Sequence, residues 1–215
     1  TDYWRPDPAG AARLRAELGL REAFVVLYIG AHGISQGLAA HLKAAARLAG
    51  HPHVQFVFVG EAADKPRLVA EAQKLGLANV RFLDPVDKAN VRAFYSLADV
   101  CLVPLRALPL FDAFIPSKMF EIMATGRPVL ASVRGEAARI LERSGAARVV
   151  APDDDAALAQ GILELAADAR RLQAMGERGR PFVLAHYSRR QLADRYLPPV
   201  RAGALLAPAA GGSLS

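Results

Sequence analysis

Six short apolar runs punctuate the first 151 residues and constrain the fold more than any other feature: Phe24–Ile29, Val54–Val59, Val80–Leu83, Val100–Leu105, Pro128–Val133 and Ala147–Ala151. The second, Val54-Gln55-Phe56-Val57-Phe58-Val59, is almost continuously apolar, β-branched and aromatic. A strand buried on both faces of a parallel sheet reads this way. Helix-period segments fill the intervals, at about 37–49, 64–76, 88–98, 117–125 and 135–144. Strand followed by helix, repeated, demands crossover connections of one hand. The expectation is an α/β fold: a single Rossmann-like, doubly wound parallel sheet of about six strands with extra helices at its C-terminal end.

The flanking segments are different in kind. An opening stretch with Pro6 and Pro8 reads as a linker entering a helix at about 9–19. After the sixth run a helix is predicted at about 154–167, with Asp153–Asp155 as its acidic N-terminal cap. A second, at about 168–197, is expected to break near Pro181 and Ser188. Residues 198–215, rich in Ala, Pro, Gly and Ser, read as a disordered tail. The organisation predicted is therefore 1–20 linker and first helix, 21–180 Rossmann-like domain, 181–197 C-terminal helix and 198–215 tail.

Composition narrows the classes. With 215 residues, 53% hydrophobic and 22% charged, the chain is globular and long enough for a sizeable core. The single Cys101, inside an apolar run, excludes a disulfide framework or a thiolate zinc cluster. No apolar stretch has the length of a membrane span and no signal peptide opens the sequence, so a soluble protein of a reducing compartment, the cytoplasm, is expected. The net charge of +6 comes from 5 Lys and 22 Arg spread along the chain. No basic run is interleaved with aromatics, so a nucleic-acid partner is not expected. Solvated helix faces account for the charge, with an anionic membrane surface as the alternative partner.

Ligands of open α/β sheets bind beyond the carboxyl ends of the strands. The first strand ends in Gly30-Ala31-His32-Gly33-Ile34-Ser35-Gln36-Gly37 and a helix follows. Glycines there let the backbone approach a phosphate, and the helix N-terminus offers unpaired N–H groups. The spacing is not that of nicotinamide binders or of a P-loop. Phosphate binding and a merely tight turn both fit, and His32 reads either as a phosphate donor or as an idle loop tip. Gly60-Glu61 ends the second strand, where an acidic residue holds ribose in dinucleotide enzymes. His51 and His53 lack a third ligand and read as a solvated loop.

The most informative stretch is 104–132. Pro116 and Ser117 start a helix, Gly126 ends it and Pro128 opens the next strand. Lys118 and Glu121 share a face of its first turn. A cation there opposes the helix dipole, and an anionic ligand would resolve the conflict. The alternative is a surface ion pair between Lys118 and Glu121.

Pro116–Ser132, read as P-S-K-x-F-E-x-M-A-x-G-x-P-V, resembles the nucleotide-sugar signature of family 4 retaining glycosyltransferases of the GT-B fold. Tyr28-Ile29-Gly30, Phe58-Val59-Gly60, Asn79–Leu83, Ala98-Asp99-Val100, Asp153-Asp154 and His186-Tyr187-Ser188 follow in the same order, so the similarity covers about 1–197. The subgroup it resembles builds surface polysaccharide and lipopolysaccharide from N-acetylated amino-sugar nucleotides. The resemblance implies a donor-binding domain for a UDP-sugar. It implies that Lys118 and Arg106 neutralise the diphosphate as catalytic groups, and that Glu121 accepts from ribose. It also implies that Leu83 to Val86 lie along the base, and that His32, Gly33, Gln36, Gly37 and Ser117 complete the donor site. Retention and the absence of any metal or other cofactor are implied too. The first Glu of the family's motif falls at Ala113, with Asp112 as a candidate substitute, and Gln36 stands where many members carry a basic residue. A family member needs a second, acceptor-binding domain, which is expected to precede Thr1; alone, this chain should bind donor without completing transfer. The acceptor expected is a polysaccharide or a lipid-linked sugar at the cytoplasmic face of a membrane. Two other readings stay open: a nicotinamide-dependent oxidoreductase domain and a non-catalytic binding module.

Overall fold

A computed structural model describes residues 3–187. After α1 (Pro8–Glu17), strands and helices alternate: β1 (Phe24–Ile29), α2 (Leu38–Arg47), β2 (Val54–Val59), α3 (Lys65–Lys74), β3 (Val80–Leu83), α4 (Lys88–Leu97), β4 (Val100–Pro104), α5 (Lys118–Ala124), β5 (Val129–Ser132), α6 (Gly135–Ser144) and β6 (Ala147–Val150). Helices α7 (Asp155–Ala167) and α8 (Ala169–His186) follow. Short 3-10 turns at Ile34–Gln36 and Pro109–Phe111 interrupt the loops after β1 and β4.

All six strands are parallel in one sheet, ordered β3-β2-β1-β4-β5-β6. This is the expected doubly wound sheet. Strand side chains alternate between two cores. Val25, Leu27, Val57, Val59, Cys101, Val103, Val129 and Ala131 pack on one side, with α1, α4, α5, α6 and α8. Val26, Tyr28, Phe56, Phe58, Val100, Leu102 and Leu130 pack on the other, with α2, α3 and α7. Burial pushes the Cys101 thiol up to about 12, so it is an inert core group.

The order of strands reverses between β1 and β4. There the ladder holds only Val26 to Val100 and Leu27 to Cys101, whereas β1 and β2 pair along their whole length from Phe24 to Val54 through Ile29 to Val59. The carboxyl ends of β1 and β4 are thus not hydrogen-bonded to each other, and this is the topological switch point, beyond which ligands of such sheets bind.

Two expectations fail. The helix predicted to break near Pro181 runs through it as one element to His186, so a boundary at 180 falls inside α8. An interior proline costs roughly 3 kcal/mol, and packing offsets it. A Cβ on Gly176 would stand 2.6 Å from the Gly126 carbonyl oxygen, so α8 lies directly against the end of α5. Arg180 donates to the carbonyls of Trp4 and Ala124, the latter at 2.8 Å. The break expected near Ser188, the rest of 181–197 and the tail 198–215 lie outside the described residues. Second, Asp153–Asp155 is not one cap. Only Asp154 accepts from a first-turn amide of α7, Ala157 at 2.8 Å. Asp155 pairs with Arg47, and Asp153 turns to the loop after β4. The opening segment, read as a linker, is docked on α4: Tyr3 Oη donates to the Lys88 carbonyl, and the Asp7 amide to Ser96 Oγ, both at 2.8 Å.

Candidate functional site

Two loops and a helix meet at this switch point. The first is the glycine turn after β1. Gly30 has φ +144, a region that only glycine enters readily, and Gly37 ends the 3-10 turn at φ +61 before α2 begins. No side chain caps α2, so its first amides remain available to an anion. Gln36 folds back inside the turn, accepting from Ser35 Oγ at 3.0 Å.

The second loop follows β4. The Arg106 amide donates to the Ser35 carbonyl at 3.0 Å, which joins this loop to the glycine turn. The Arg106 side chain is exposed, and its stem lies over Gly37, where a Cβ would meet Cγ at 2.9 Å. Asp153 fixes the same loop by accepting from the Ala107 amide at 3.0 Å. It does so from φ +60, a left-handed conformation rare outside glycine. The loop then exposes Leu108, Leu110, Phe114 and Ile115 at the rim. Asp112, the candidate substitute for the missing glutamate at Ala113, pairs with Arg134 at 3.3 Å.

The third element is α5. Ser117 occupies its N-cap, but the hydroxyl makes no capping bond and faces solvent. Lys118 and Glu121 do not pair with each other, so the surface ion pair is not what the fold builds. Lys118 Nζ donates to Tyr28 Oη and to the Ile29 carbonyl, both at 3.2 Å, and stands 4.3 Å from the Tyr28 ring centre. Burial lowers the Lys118 ammonium to about 8, with the Glu121 charge opposing that shift. Glu121 accepts from Tyr95 Oη at 3.2 Å, and burial, reinforced by the carboxylate, pushes the Tyr95 phenol far above its ordinary value.

Lys118 and Arg106 therefore stand at opposite ends of one glycine turn, Lys118 against Gly30 and Arg106 against Gly37. Leu83 and Val86 are half-buried against the core cluster that also takes in Ile29. His32 is not brought to the cleft. Its side chain is fully buried, with neither ring nitrogen hydrogen-bonded, among Tyr28, Phe58 and Phe82 at 5.6, 6.4 and 6.0 Å between ring centres. Burial first, then the Lys65 charge, lower it to about 4, so at neutral pH it is an uncharged core ring. Neither sequence reading, phosphate donor or loop tip, matches that position.

Glu61 is engaged by Lys65 at 2.9 Å, and Lys65 also pairs with Asp84 at 3.1 Å. A ribose-binding carboxylate at the end of β2 would have to leave that contact. Among the described residues no group of three or more His, Cys, Asp or Glu is arranged to hold a metal ion, and no helix is long and apolar enough to cross a membrane. Several arginines are held in ion pairs, as with Arg15 to Asp99 and Arg67 to Asp64, both at 2.6 Å. The residues sequence reasoning missed are Tyr28, Tyr95 and Asp153 in its loop-holding role. For Tyr28 the only signal is a phenol two residues before the glycine turn, in an otherwise hydrocarbon strand.

Comparison with known proteins matches residues 23–168 to the family of glycosyl transferases group 1. An Escherichia coli protein provisionally named as the colanic acid biosynthesis glycosyl transferase WcaI is 33% identical over 141 residues, covering 64% of this chain and 34% of the relative. The GDP-mannose-dependent alpha-(1-6)-phosphatidylinositol monomannoside mannosyltransferase of Mycolicibacterium smegmatis is 29% identical over 191 residues, covering 87% of this chain and 50% of the relative. The chain thus spans between a third and a half of the length of these relatives. Among solved structures, Anabaena HepE in complex with UDP and glucose superimposes with TM-score 0.78 at 21% identity, over 90% of this chain and 53% of that one. That likeness is one of fold.

Proposed function

Since the chain belongs to the group 1 glycosyl transferases, matched across its whole sheet, we propose that it binds the nucleotide diphosphate of a sugar donor at the switch point between β1 and β4. The observation that carries this reading is the half-buried Lys118 ammonium at the edge of the glycine turn, held on the Ile29 carbonyl and Tyr28. A cation placed there at the cost of desolvation suits a ligand carrying concentrated negative charge.

Transfer of a sugar from a nucleotide diphosphate leaves charge on the departing diphosphate. Lys118 and Arg106 supply the countercharge, and the first amides of α2 add their dipole, without a metal ion or other cofactor. Glu121 accepts from the ribose hydroxyls beside Tyr95, and Leu83 to Val86 line the base. Ser117 and the Gly33–Gly37 turn contribute donors to the phosphates. The donor is a UDP-sugar of the N-acetyl amino type and transfer retains anomeric configuration. The acceptor, a polysaccharide or a lipid-linked sugar at a membrane surface, is taken up by a separate domain, so that this chain alone binds donor without turning it over.

A second donor reading has its own support: the Mycolicibacterium relative, aligned over 87% of this chain, is GDP-mannose-dependent. Melting the protein with UDP, GDP, ADP and NADH in the presence of EDTA decides between them. At a hundredfold excess over Kd the preferred nucleotide should stabilise by about 2.7 kcal/mol, or about 5–10 °C in a domain of this size. A shift with GDP and not UDP moves the donor to the guanosine class. A larger shift with NADH than with either, or no shift at all, overturns the reading.

A further inference from the structure

Tyr28 and Lys118 belong to opposite sides of the sheet. The Tyr28 ring is fully buried in the core shared with α2 and α3, 6.3 Å from Phe58 between ring centres. Lys118 starts α5, on the other side. Its Nζ meets the phenol only by crossing the carboxyl end of β1 over Gly30, where a Cβ would stand 2.5 Å from the nitrogen. On arrival it donates to Tyr28 Oη, and Tyr28 Oη in turn donates to the Ala31 carbonyl at 2.6 Å. One hydroxyl thus joins the ammonium to the backbone of the glycine turn.

We infer that Tyr28 is a positioning residue: its hydroxyl and ring hold the Lys118 ammonium at the mouth of the glycine turn and tie its place to the shape of that turn. The inference rests on reading Lys118 as the countercharge of the donor diphosphate.

The need for such a residue follows from desolvation. A buried ammonium sheds its proton or swings outward unless its charged form has acceptors. The groups around it are few. From β1 come Tyr28 and the Ile29 carbonyl, and from the turn comes His32, neutral at physiological pH. From its own helix comes Glu121, whose carboxylate accepts from Tyr95 of α4. Among the described residues Glu121 is the opposite charge that acts on the ammonium, and it makes no ion pair with it. Burial also holds the Tyr28 phenol well above its ordinary value, so its oxygen is a neutral acceptor and not a source of protons. If Tyr28 were only a core ring with its hydroxyl spent on Ala31, loss of that hydroxyl would change nothing at Lys118.

Tyr28→Phe keeps the ring and removes the acceptor. The chain has five lysines, so side-chain labelling with carbon-13 and nitrogen-15 resolves each amine by NMR, with Lys118→Ala identifying its signal. Wild-type Lys118 should titrate near 8. In Tyr28→Phe its midpoint should fall by about half a unit or more, because a bond to the charged form is lost. UDP affinity near neutral pH should weaken about three- to tenfold. The decline in affinity with rising pH should begin at lower pH than in wild type. Adding Tyr28→Phe to Lys118→Ala should cost nothing further, since the coupled pair is already broken. An unchanged midpoint and unchanged UDP affinity in a folded Tyr28→Phe would overturn the inference. If Lys118→Ala leaves nucleotide affinity intact, the donor reading falls, and the midpoint shift still decides the Tyr28 contact on its own. Should Tyr28→Phe not fold, the wild-type Tyr28 ring carbon bearing oxygen must shift in step with the Lys118 titration; a flat response would count equally against it.

Discussion

The two cations at the glycine turn are held in opposite ways. Lys118 is fixed through its side chain: half-buried, bonded to Tyr28 and the Ile29 carbonyl, and lowered to about 8 by burial. Arg106 is fixed through its backbone, by Ser35 and by the Asp153 hold on Ala107, while its guanidinium is exposed. A desolvated charge acts through a lower effective dielectric and needs no reorganisation, but it can lose its proton. An exposed arginine is always charged, yet solvent and salt screen it. The desolvated cation should therefore carry more of the nucleotide affinity than the exposed one. Lys118→Ala should weaken UDP binding about 10- to 100-fold, roughly 1.5–3 kcal/mol, and Arg106→Ala about threefold, near the value of exposed ion pairs. The Arg106 share should shrink with added salt and the Lys118 share should persist. Calorimetry at two ionic strengths tests this; equal losses from the two substitutions would break the comparison.

That contrast was half legible in the sequence. The sheet and its order of helices follow from runs such as Val54–Val59, because a strand buried on both sides has no polar alternation to confuse it. Lys118 is visible because a cation in a first helical turn opposes the dipole, and Arg106 only through the family resemblance. Their different rigidity was not visible, since it depends on Tyr28 and Gly30 meeting a side chain that starts about 90 residues later. His32 was misplaced for a similar reason. Sequence gives a polar residue between glycines, whereas the fold turns it inward among rings supplied by β1, β2 and β3. Pro181 carries a local cost that its sequence shows, and the contacts of Arg180 and Gly176 with distant backbone, which it does not show, outweigh that cost. Asp153–Asp155 looked like one acidic run because a sequence cannot show that Arg47, Ala107 and Ala157 lie on three sides of it.

A smaller effect, in stability as well as binding, is expected from crowding the rigid side alone. In Gly30→Ala the methyl would sit 2.5 Å from Lys118 Nζ and 3.4 Å from Tyr28 Oη, at a φ of +144 that L side chains avoid. The strain should cost about 1–3 kcal/mol in urea denaturation. The ammonium must also leave the Ile29 carbonyl, so nucleotide affinity should fall beside stability while the Arg106 contribution and its salt dependence stay in place. If affinity holds while stability falls, the bound position of Lys118 does not need the path over Gly30, and its rigidity in the free protein is incidental.

The smallest effect at neutral pH is expected at His32, next to the rigid side but turned away from the cleft. It and His41, whose ring is also buried, are both lowered to about 4 by burial. Between that value and the ordinary 6.5 the unfolded chain binds protons that the folded chain refuses. Stability contributed by each neutral ring is thus complete above 6.5 and is lost as pH falls toward 4, by up to about 3 kcal/mol per histidine. Replacing His32 by Leu removes its term, so the acid slope of denaturation should become shallower between about pH 4 and 6.5. At neutral pH stability should hold or rise slightly, because two unbonded ring nitrogens disappear from the core. UDP affinity should not move. A clear loss of affinity in His32→Leu would mean that the ring swings out to the phosphates on binding, and the boundary between the buried and exposed parts of the site would then have to be drawn past His32.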